Sequence, residues 1–223
     1  FAWYGTRHVF DRPALVFRRH GGGHFVAHYY PYTDTMSTFV AECDEATWHR
    51  CGLASMSDAQ RQALFETIYA PELEGAPLLS NNSVWRQFPV IRNASWHCGD
   101  RYVLIGDALA SAHFSIGSGT RIAMTDAIAL ADALLASPDD PPAALRAYQA
   151  VHAPQKAKLI DASEKSFDWY ERIAEWMDRY TPEEFVYRFM TRTGRVDDER
   201  LRRAFPELMD RLVSAGVKLG AAA

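Results

Sequence analysis

Residues 101–134 constrain the fold of this 223-residue chain more than any other stretch. The apolar run at 102–105 is typical of a buried strand, and Gly106-Asp107 follows it directly. A loop rich in small residues, 108–119, then leads to an amphipathic helical pattern that begins at Thr120. The apolar face predicted for this helix comprises Ile122, Ala123, Ala127, Leu130, Ala131 and Leu134.

This loop and the predicted helix start have the features of a ligand-binding site. Glycine lets the backbone approach a bound molecule closely, and the first turn of a helix presents N–H groups that favour negative charge. The carboxylate of Asp107, at the tip of the strand, would accept hydrogen bonds from ligand hydroxyls. Spacing alone also permits an ordinary strand–loop–helix connection in which Asp107 only forms the turn.

Several short motifs resemble a known family. Gly106-Asp-Ala108, Gly117, Gly119 and Asp126-Ala127 match the second flavin-binding motif of the FAD-dependent aromatic hydroxylases, the single-component monooxygenases similar to para-hydroxybenzoate hydroxylase. The string 106–119 resembles one branch in particular. That branch contains the 2-aminobenzoyl-CoA monooxygenase/reductases, the salicylyl-CoA hydroxylases and the violacein-pathway tryptophan hydroxylase. Three further segments resemble the same branch, at 3–6, 32–39 and 189–195.

The resemblance implies how FAD would be held. Asp107 would bind the ribityl chain, and backbone amides at the helix start would stabilise negative charge on the pyrimidine edge of the reduced flavin. The expected cofactor-binding residues are Gly106, Asp107, Gly117, Ser118, Gly119, Thr120 and Arg121. The chain departs from the wider family at three places, where it carries Ala110, His113-Phe114 and Arg121 instead of His, a Pro-Pro pair and Asn.

The resemblance also implies an activity. NAD(P)H would reduce the flavin, and a flavin C4a-hydroperoxide formed with O2 would hydroxylate a small aromatic substrate, with aromatic acyl-CoA thioesters among the candidates. The setting would be aromatic compound catabolism. His113 and Phe114 are the catalytic candidates, and His28 and Tyr30 are the candidates for substrate binding. His113 could position substrate or shuttle a proton, or it could be a loop histidine that bonds to the backbone.

The first part of the chain predicts an antiparallel sheet. Strands are expected at 1–10, 14–19, 24–30 and 36–43, with a hairpin turn at 21–23. Side chains at 24–30 alternate, with Phe25, Ala27 and Tyr29 on a packed face and His28 and Tyr30 on a face left for a ligand. A further strand is expected at 83–92, and Pro154 is expected to kink or restart a helix that begins at 143.

The predicted fold class is α/β (α+β), in three parts. Residues 1–95 would form the antiparallel substrate-domain sheet with two short helices, and 96–137 the FAD-binding strand–loop–helix. Residues 138–223 would form a C-terminal helical region. The family's N-terminal Gly-x-Gly-x-x-Gly unit does not occur in this sequence. We therefore expect a C-terminal portion of a longer enzyme that is inactive alone, with the dinucleotide-binding portion of the same protein as its partner.

Composition excludes some classes of partner. The net charge of −4 argues against nucleic acid, and no apolar run is long enough to span a membrane. The three cysteines lack metal-binding spacing, and His24 and His28 would lie roughly 13 Å apart along a strand, so no metal site is expected. A cytoplasmic protein is expected, and a homodimer is compatible with the sequence.

Alternatives to the hydroxylase remain open. One is a flavoprotein reductase or dehydrogenase without oxygen activation, and another is a non-catalytic remnant that has lost its nucleotide half. A third alternative changes only the substrate, to free tryptophan or an indole.

Overall fold

The computed structural model describes residues 1–80 and 82–220. Its strands are β1 (Ala2–Thr6), β2 (Ala14–His20), β3 (Gly23–Pro31), β4 (Ser37–Cys43), β5 (Leu78–Ser80), β6 (His97–Cys98) and β7 (Tyr102–Val103). Its α-helices are α1 (Glu45–Arg50), α2 (Asp58–Ile68), α3 (Ala70–Leu73), α4 (Gly106–Leu109), α5 (Gly119–Ala136), α6 (Pro141–Glu171), α7 (Ile173–Arg179), α8 (Pro182–Thr191), α9 (Asp198–Ala204) and α10 (Pro206–Ser214).

The described chain forms two compact units. The first consists of residues 1–88 and 171–179, and the second of residues 89–170 and 180–220. The functional division at residues 95 and 137 stays a prediction. In the described part of the chain, no helix combines the length and apolarity that crossing a bilayer requires.

The first unit is built on the predicted antiparallel sheet, whose strand order is β2-β3-β4-β1-β5. The turn between β2 and β3 uses Gly21 and Gly22 at φ of 56° and 79°, which glycine adopts without steric strain. One face of the sheet packs with α1–α3 into an aromatic-rich core. Its fully buried members include Ala2, Phe25, Ala27, Phe39, Ala41, Leu53, Phe65 and Tyr69.

Side-chain caps fix the helices of this unit where the sequence predicts them. Asp44 Oδ1 accepts a hydrogen bond from Thr47 N at 2.6 Å, and Ser57 and Gln60 form a capping box at the start of α2. On the opposite face of the sheet, α7 packs on β3. Asp178 of α7 accepts hydrogen bonds from Arg19 at 3.0 Å and from His24 at 2.9 Å.

The strand predicted at 83–92 is wrong. The structure describes no strand between residues 82 and 91, and Arg92 forms only an isolated bridge with Ala110. Pro89 has no N–H to give to a ladder, and the N–H of Ile91 donates instead to Ser111 Oγ at 2.9 Å. These residues form a connecting segment rather than a sheet strand.

The second unit is organised by α6. This helix continues from Pro141 to Glu171 with Pro154 inside it, so the expected restart at Pro154 does not occur. An internal proline costs a helix about 3 kcal/mol, and His152 and Lys156 on either side of it are buried. Burial of this face offsets the loss of one helical hydrogen bond.

Candidate functional site

The strand that leads into the Gly-Asp motif is shorter and more exposed than predicted. β7 contains only Tyr102 and Val103 and pairs with the two-residue strand β6, so the strand expected at 102–105 forms only at its first two residues and is not buried. The side chain of Tyr102 is 74% exposed. Within the described residues, β6 is the only strand that pairs with this segment, and a two-stranded ribbon cannot bury both of its faces.

Gly106 occupies a position that strongly favours glycine. Its φ is 59°, and a Cβ atom there would lie 3.2 Å from Cβ of Ala123 on α5. The N–H of Gly106 donates to Asp126 Oδ2 at 2.8 Å. Asp107 follows in the first turn of α4, where its side chain is exposed. The hydrogen bond of Gly106 therefore fixes the backbone from which the Asp107 side chain extends into solvent.

Asp126 anchors Gly106 through a buried charged network. The carboxylate is 0% exposed, and Lys156, 3% exposed, forms an ion pair with its Oδ2 atom. His152 Nε2 lies 2.9 Å from the other oxygen, Oδ1. The ring of Trp96 closes the network, 5.7 Å from Lys156 Nζ. We refer to Asp126, His152 and Lys156 as the Asp126 network.

The Asp126 network changes which face of α5 is buried. The helix buries Ile122 and Asp126, whereas Ala127, Ala131 and Leu134 of the predicted apolar face are exposed. The sequence analysis missed the network. The sequence feature that could have revealed it is the presence of these three polar residues on otherwise apolar helix faces. His152 and Lys156 are also four residues apart, which places them on the same side of a helix.

The segment at 113–117 is held by backbone contacts. The N–H of His113 donates to Ser163 Oγ of α6 at 2.8 Å, and the N–H of Ser115 donates to His113 Nδ1 at 3.3 Å. Burial lowers the pKa of His113 to about 4, so the imidazole is neutral at neutral pH. Of the roles predicted for His113, that of a loop histidine bonded to the backbone accounts for its Nδ1 atom.

Open backbone follows at the start of α5. A Cβ atom built on Gly117 or Gly119 would meet no described atom within 4 Å. The side chain of the N-cap residue, Ser118, makes no capping hydrogen bond to the first turn. Thr120 and Arg121 are exposed. The space beside Gly117 and Gly119, at the start of an 18-residue helix, is thus open.

His28 and Tyr30 lie on the sheet face opposite the core, as the alternation predicts. The pairing of β3 with β4 places His28 across from Val40 and Tyr30 across from Thr38. Their ring centroids are 5.3 Å apart. Burial lowers the pKa of His28, which favours the neutral imidazole.

Glu42 on the same sheet face was missed by the sequence analysis. It pairs across from Val26, is only 6% exposed and has no hydrogen-bond partner among the described residues. Burial raises its pKa to about 8, and the amino group of Phe1 opposes this shift only in part. The sequence feature that could have revealed it is an acidic residue within the predicted strand 36–43, on the face that the alternation assigns to a ligand rather than to the core.

The raised pKa predicts a pH dependence that Glu42→Gln removes. Between pH 4.5 and about 8 the unfolded chain loses the Glu42 proton while the folded chain keeps it. Wild-type stability should therefore fall relative to E42Q as pH rises through this window, by up to about 1.4 kcal/mol per pH unit. Urea unfolding at pH 5 and pH 8 measures this, and a stability difference that is equal at both values would contradict it.

Comparison with known proteins identifies relatives by sequence. Salicyloyl-CoA 5-hydroxylase of a Streptomyces species is 36% identical over 202 residues, which cover 86% of this chain and 39% of that protein. Protodeoxyviolaceinate monooxygenase of Chromobacterium violaceum is 39% identical over 193 residues, 86% of this chain and 51% of that protein. A third relative, 3-hydroxy-4-methyl-anthranilyl-(aryl-carrier protein) 5-monooxygenase of Streptosporangium sibiricum, is 36% identical over 175 residues, 78% of this chain and 46% of that protein. No protein-family profile matches the chain.

Solved structures support the fold. Pseudomonas aeruginosa PqsL in complex with 2-aminobenzoylacetate superposes with a TM-score of 0.55 and 19% identity, covering 76% of this chain and 48% of PqsL. The flavin-dependent brominase Bmp2 superposes with a TM-score of 0.53 and 13% identity, covering 96% of this chain and 55% of Bmp2. These likenesses show the fold alone. By sequence, the chain is related to these monooxygenases over most of its own length, and it spans 39 to 51% of theirs.

Proposed function

We propose that the complete protein hydroxylates an aromatic substrate, with FAD as cofactor, NAD(P)H as reductant and O2 as the source of the oxygen atom. One observation carries the proposal. The exposed carboxylate of Asp107, the open backbone at Gly117 and Gly119 and the start of α5 occur together in the segment that resembles the flavin-binding motif. By name, the sequence relatives are a salicyloyl-CoA hydroxylase and two monooxygenases.

The residues present fit a flavin. Asp107 would accept hydrogen bonds from the ribityl hydroxyls, and Gly106 would hold it in place through the Asp126 network. Gly117, Ser118 and Gly119 would allow close approach of the ligand, and the amides of Thr120 and Arg121 would face its electron-rich edge. The bound flavin would supply electron transfer and oxygen activation.

The substrate we propose is an aromatic acyl group carried as a thioester. Two of the three relatives have names that place an aromatic acyl group on CoA or on an aryl-carrier protein. His28 and Tyr30, as rings on one sheet face, are the substrate-binding residues of this proposal, and His113 and Phe114 are its catalytic residues. A neutral His113 would orient substrate by hydrogen bonding rather than by charge.

The dinucleotide-binding portion of the same protein is the partner we propose for α5. The exposed face of this helix includes Met124, Ile128 and Leu135, which are 62%, 61% and 78% exposed. Apolar side chains at this spacing form a continuous stripe along a helix. The relatives are about twice as long as the chain, so they contain a segment that could cover it. We propose a cytoplasmic location. The size of the complete protein in solution tests whether it forms a homodimer.

The test uses the protein expressed from the complete reading frame that contains this chain. It should purify with an oxidised-flavin absorbance spectrum, or acquire one on addition of FAD. Aromatic acyl-CoA thioesters should then stimulate NAD(P)H oxidation and yield a product heavier by one oxygen atom, which mass spectrometry detects. Free tryptophan and indole serve as competing substrates.

Three other results would reject the proposal in distinct ways. NAD(P)H consumption that yields only peroxide with every aromatic tested would indicate a reductase or dehydrogenase. A colourless protein that does not take up FAD would indicate a non-catalytic remnant. Hydroxylation of free tryptophan or indole, with no thioester accepted, would retain the chemistry and reject the substrate class.

A further inference from the structure

Arg192, within the motif at 189–195, is bonded to the loop of the candidate site. It caps the C-terminal end of α8, and its guanidinium bridges three parts of the second unit. Nη2 donates to the carbonyl oxygen of Ser115 at 3.0 Å, Nε donates to Ser166 Oγ of α6 at 3.0 Å, and Nη1 donates to the carbonyl oxygen of Phe189 at 2.6 Å. Ser166 Oγ also lies 2.8 Å from Ser115 Oγ.

The charge of Arg192 has no counter-charge in the described chain. Its guanidinium lies 3.9 Å from the ring centroid of Phe189 and 5.9 Å from that of Tyr170. No carboxylate of residues 1–80 or 82–220 comes within ion-pair distance of it. Burial lowers the pKa of Arg192, but a guanidinium remains protonated in proteins. Three of its five N–H groups are engaged by the acceptors named above.

A shielded cation without a carboxylate is unfavourable unless something compensates for it. A guanidinium usually meets this need with a carboxylate, a phosphate or another anion. The three acceptors here are neutral oxygens, so they satisfy hydrogen bonds without neutralising the charge. The loop that Arg192 holds leads directly to Gly117 and Gly119, where the backbone borders open space.

We propose that Arg192 is a positioning residue that fixes the ligand-binding loop and supplies the positive charge favouring an anionic ligand state there. The inference rests on the proposed function, in which that ligand is FAD and the anionic state is its reduced form. Arg192 acts through Ser115 and through its field, so it need not touch the reacting atoms. The C-terminal helical region thereby becomes part of the cofactor site.

The test measures FAD affinity and flavin reduction potential in the full-length protein and four variants. Arg192→Met removes both the bridge and the charge, so we expect FAD to bind about tenfold more weakly and the potential to become more negative. Arg192→Lys keeps the charge but cannot bridge three separated acceptors, so affinity should fall while the potential stays near the wild-type value. Ser166→Ala removes one bridge acceptor and should leave the potential unchanged.

Arg195→Met is the matched control, because it removes an equal charge from an exposed side chain of the same motif. It should leave affinity and potential unchanged. A reduction potential that is equal in R192M and in the wild type would overturn the charge role. If R192M does not fold, wild-type affinity in R192K would overturn the positioning role. Wild-type protein that takes up no FAD would instead reject the proposed function, before any variant is compared.

Discussion

Asp107→Ala in the full-length protein is expected to weaken FAD binding by about a hundredfold, so that the protein purifies without yellow colour. Asp107 is exposed at the start of α4, and the Asp126 network fixes the backbone on its N-terminal side. A carboxylate that accepts two hydrogen bonds from ligand hydroxyls contributes about 3 kcal/mol or more to binding. Alanine keeps the helical turn and removes only these acceptors. Titration of the apoprotein with FAD, followed by flavin fluorescence, measures the change.

Asp132→Ala provides the matched control for Asp107→Ala. Asp132 is an exposed acid on α5, outside the loop and the first turn of the helix. Its removal changes the net charge equally and should leave FAD affinity within about twofold of wild type. Equal affinities for D107A and wild type would show that Asp107 only forms the turn, which is the alternative that spacing permits. The melting temperatures of both variants establish that folding is not the cause.

The largest expected effect on stability comes from Lys156→Met. Lys156 and Asp126 form an ion pair that is almost fully buried, and removing one partner of such a pair typically costs about 3–5 kcal/mol. The loss arises because the Asp126 carboxylate would remain buried with only His152 and the N–H of Gly106 as partners. Urea unfolding of the protein should show a lower midpoint with an unchanged slope.

Two further variants make the Lys156 prediction specific. Lys165→Met breaks an exposed pair with Asp161 on the same helix, and it should change stability by less than about 0.5 kcal/mol. Asp126→Asn combined with K156M removes both charges and should recover part of the loss. If K156M and K165M destabilise equally, the buried pair contributes nothing specific. Since Asp126 also accepts the hydrogen bond of Gly106, K156M should weaken FAD binding as well.

The sheet was predictable because its determinants are local. The alternation at 24–30, the glycine turn and the caps at Asp44 and Ser57 each depend on residues within a few positions of one another. The structure confirms the antiparallel sheet, and a one-residue shift in register would have moved Phe25 and Ala27 out of the core.

The anchors of the candidate site were not predictable, because their determinants are distant in sequence. Asp126 and its partner Lys156 are 30 residues apart in sequence, and Ser115 and its partner Arg192 are 77 residues apart. A hydrophobic period assigns a polar residue to the solvent face unless its partner is known, so the predicted face of α5 was wrong at Ala127, Ala131 and Leu134. The strand at 102–105 failed for a related reason, since an apolar run indicates burial only where a neighbour exists to cover it.

One helix, α6, carries both sets of anchors on a single stripe. His152 and Lys156 reach Asp126, and about two to three turns further on Ser163 and Ser166 reach the loop at 113–115. Each residue of an α-helix advances the side chains by roughly 100°. Inserting or deleting one residue between Lys156 and Ser163 would therefore rotate the serines away from the loop while the Asp126 network stayed in place. The number of residues in α6 between the two sets of anchors would then tolerate change less than the chemistry of any one of these side chains.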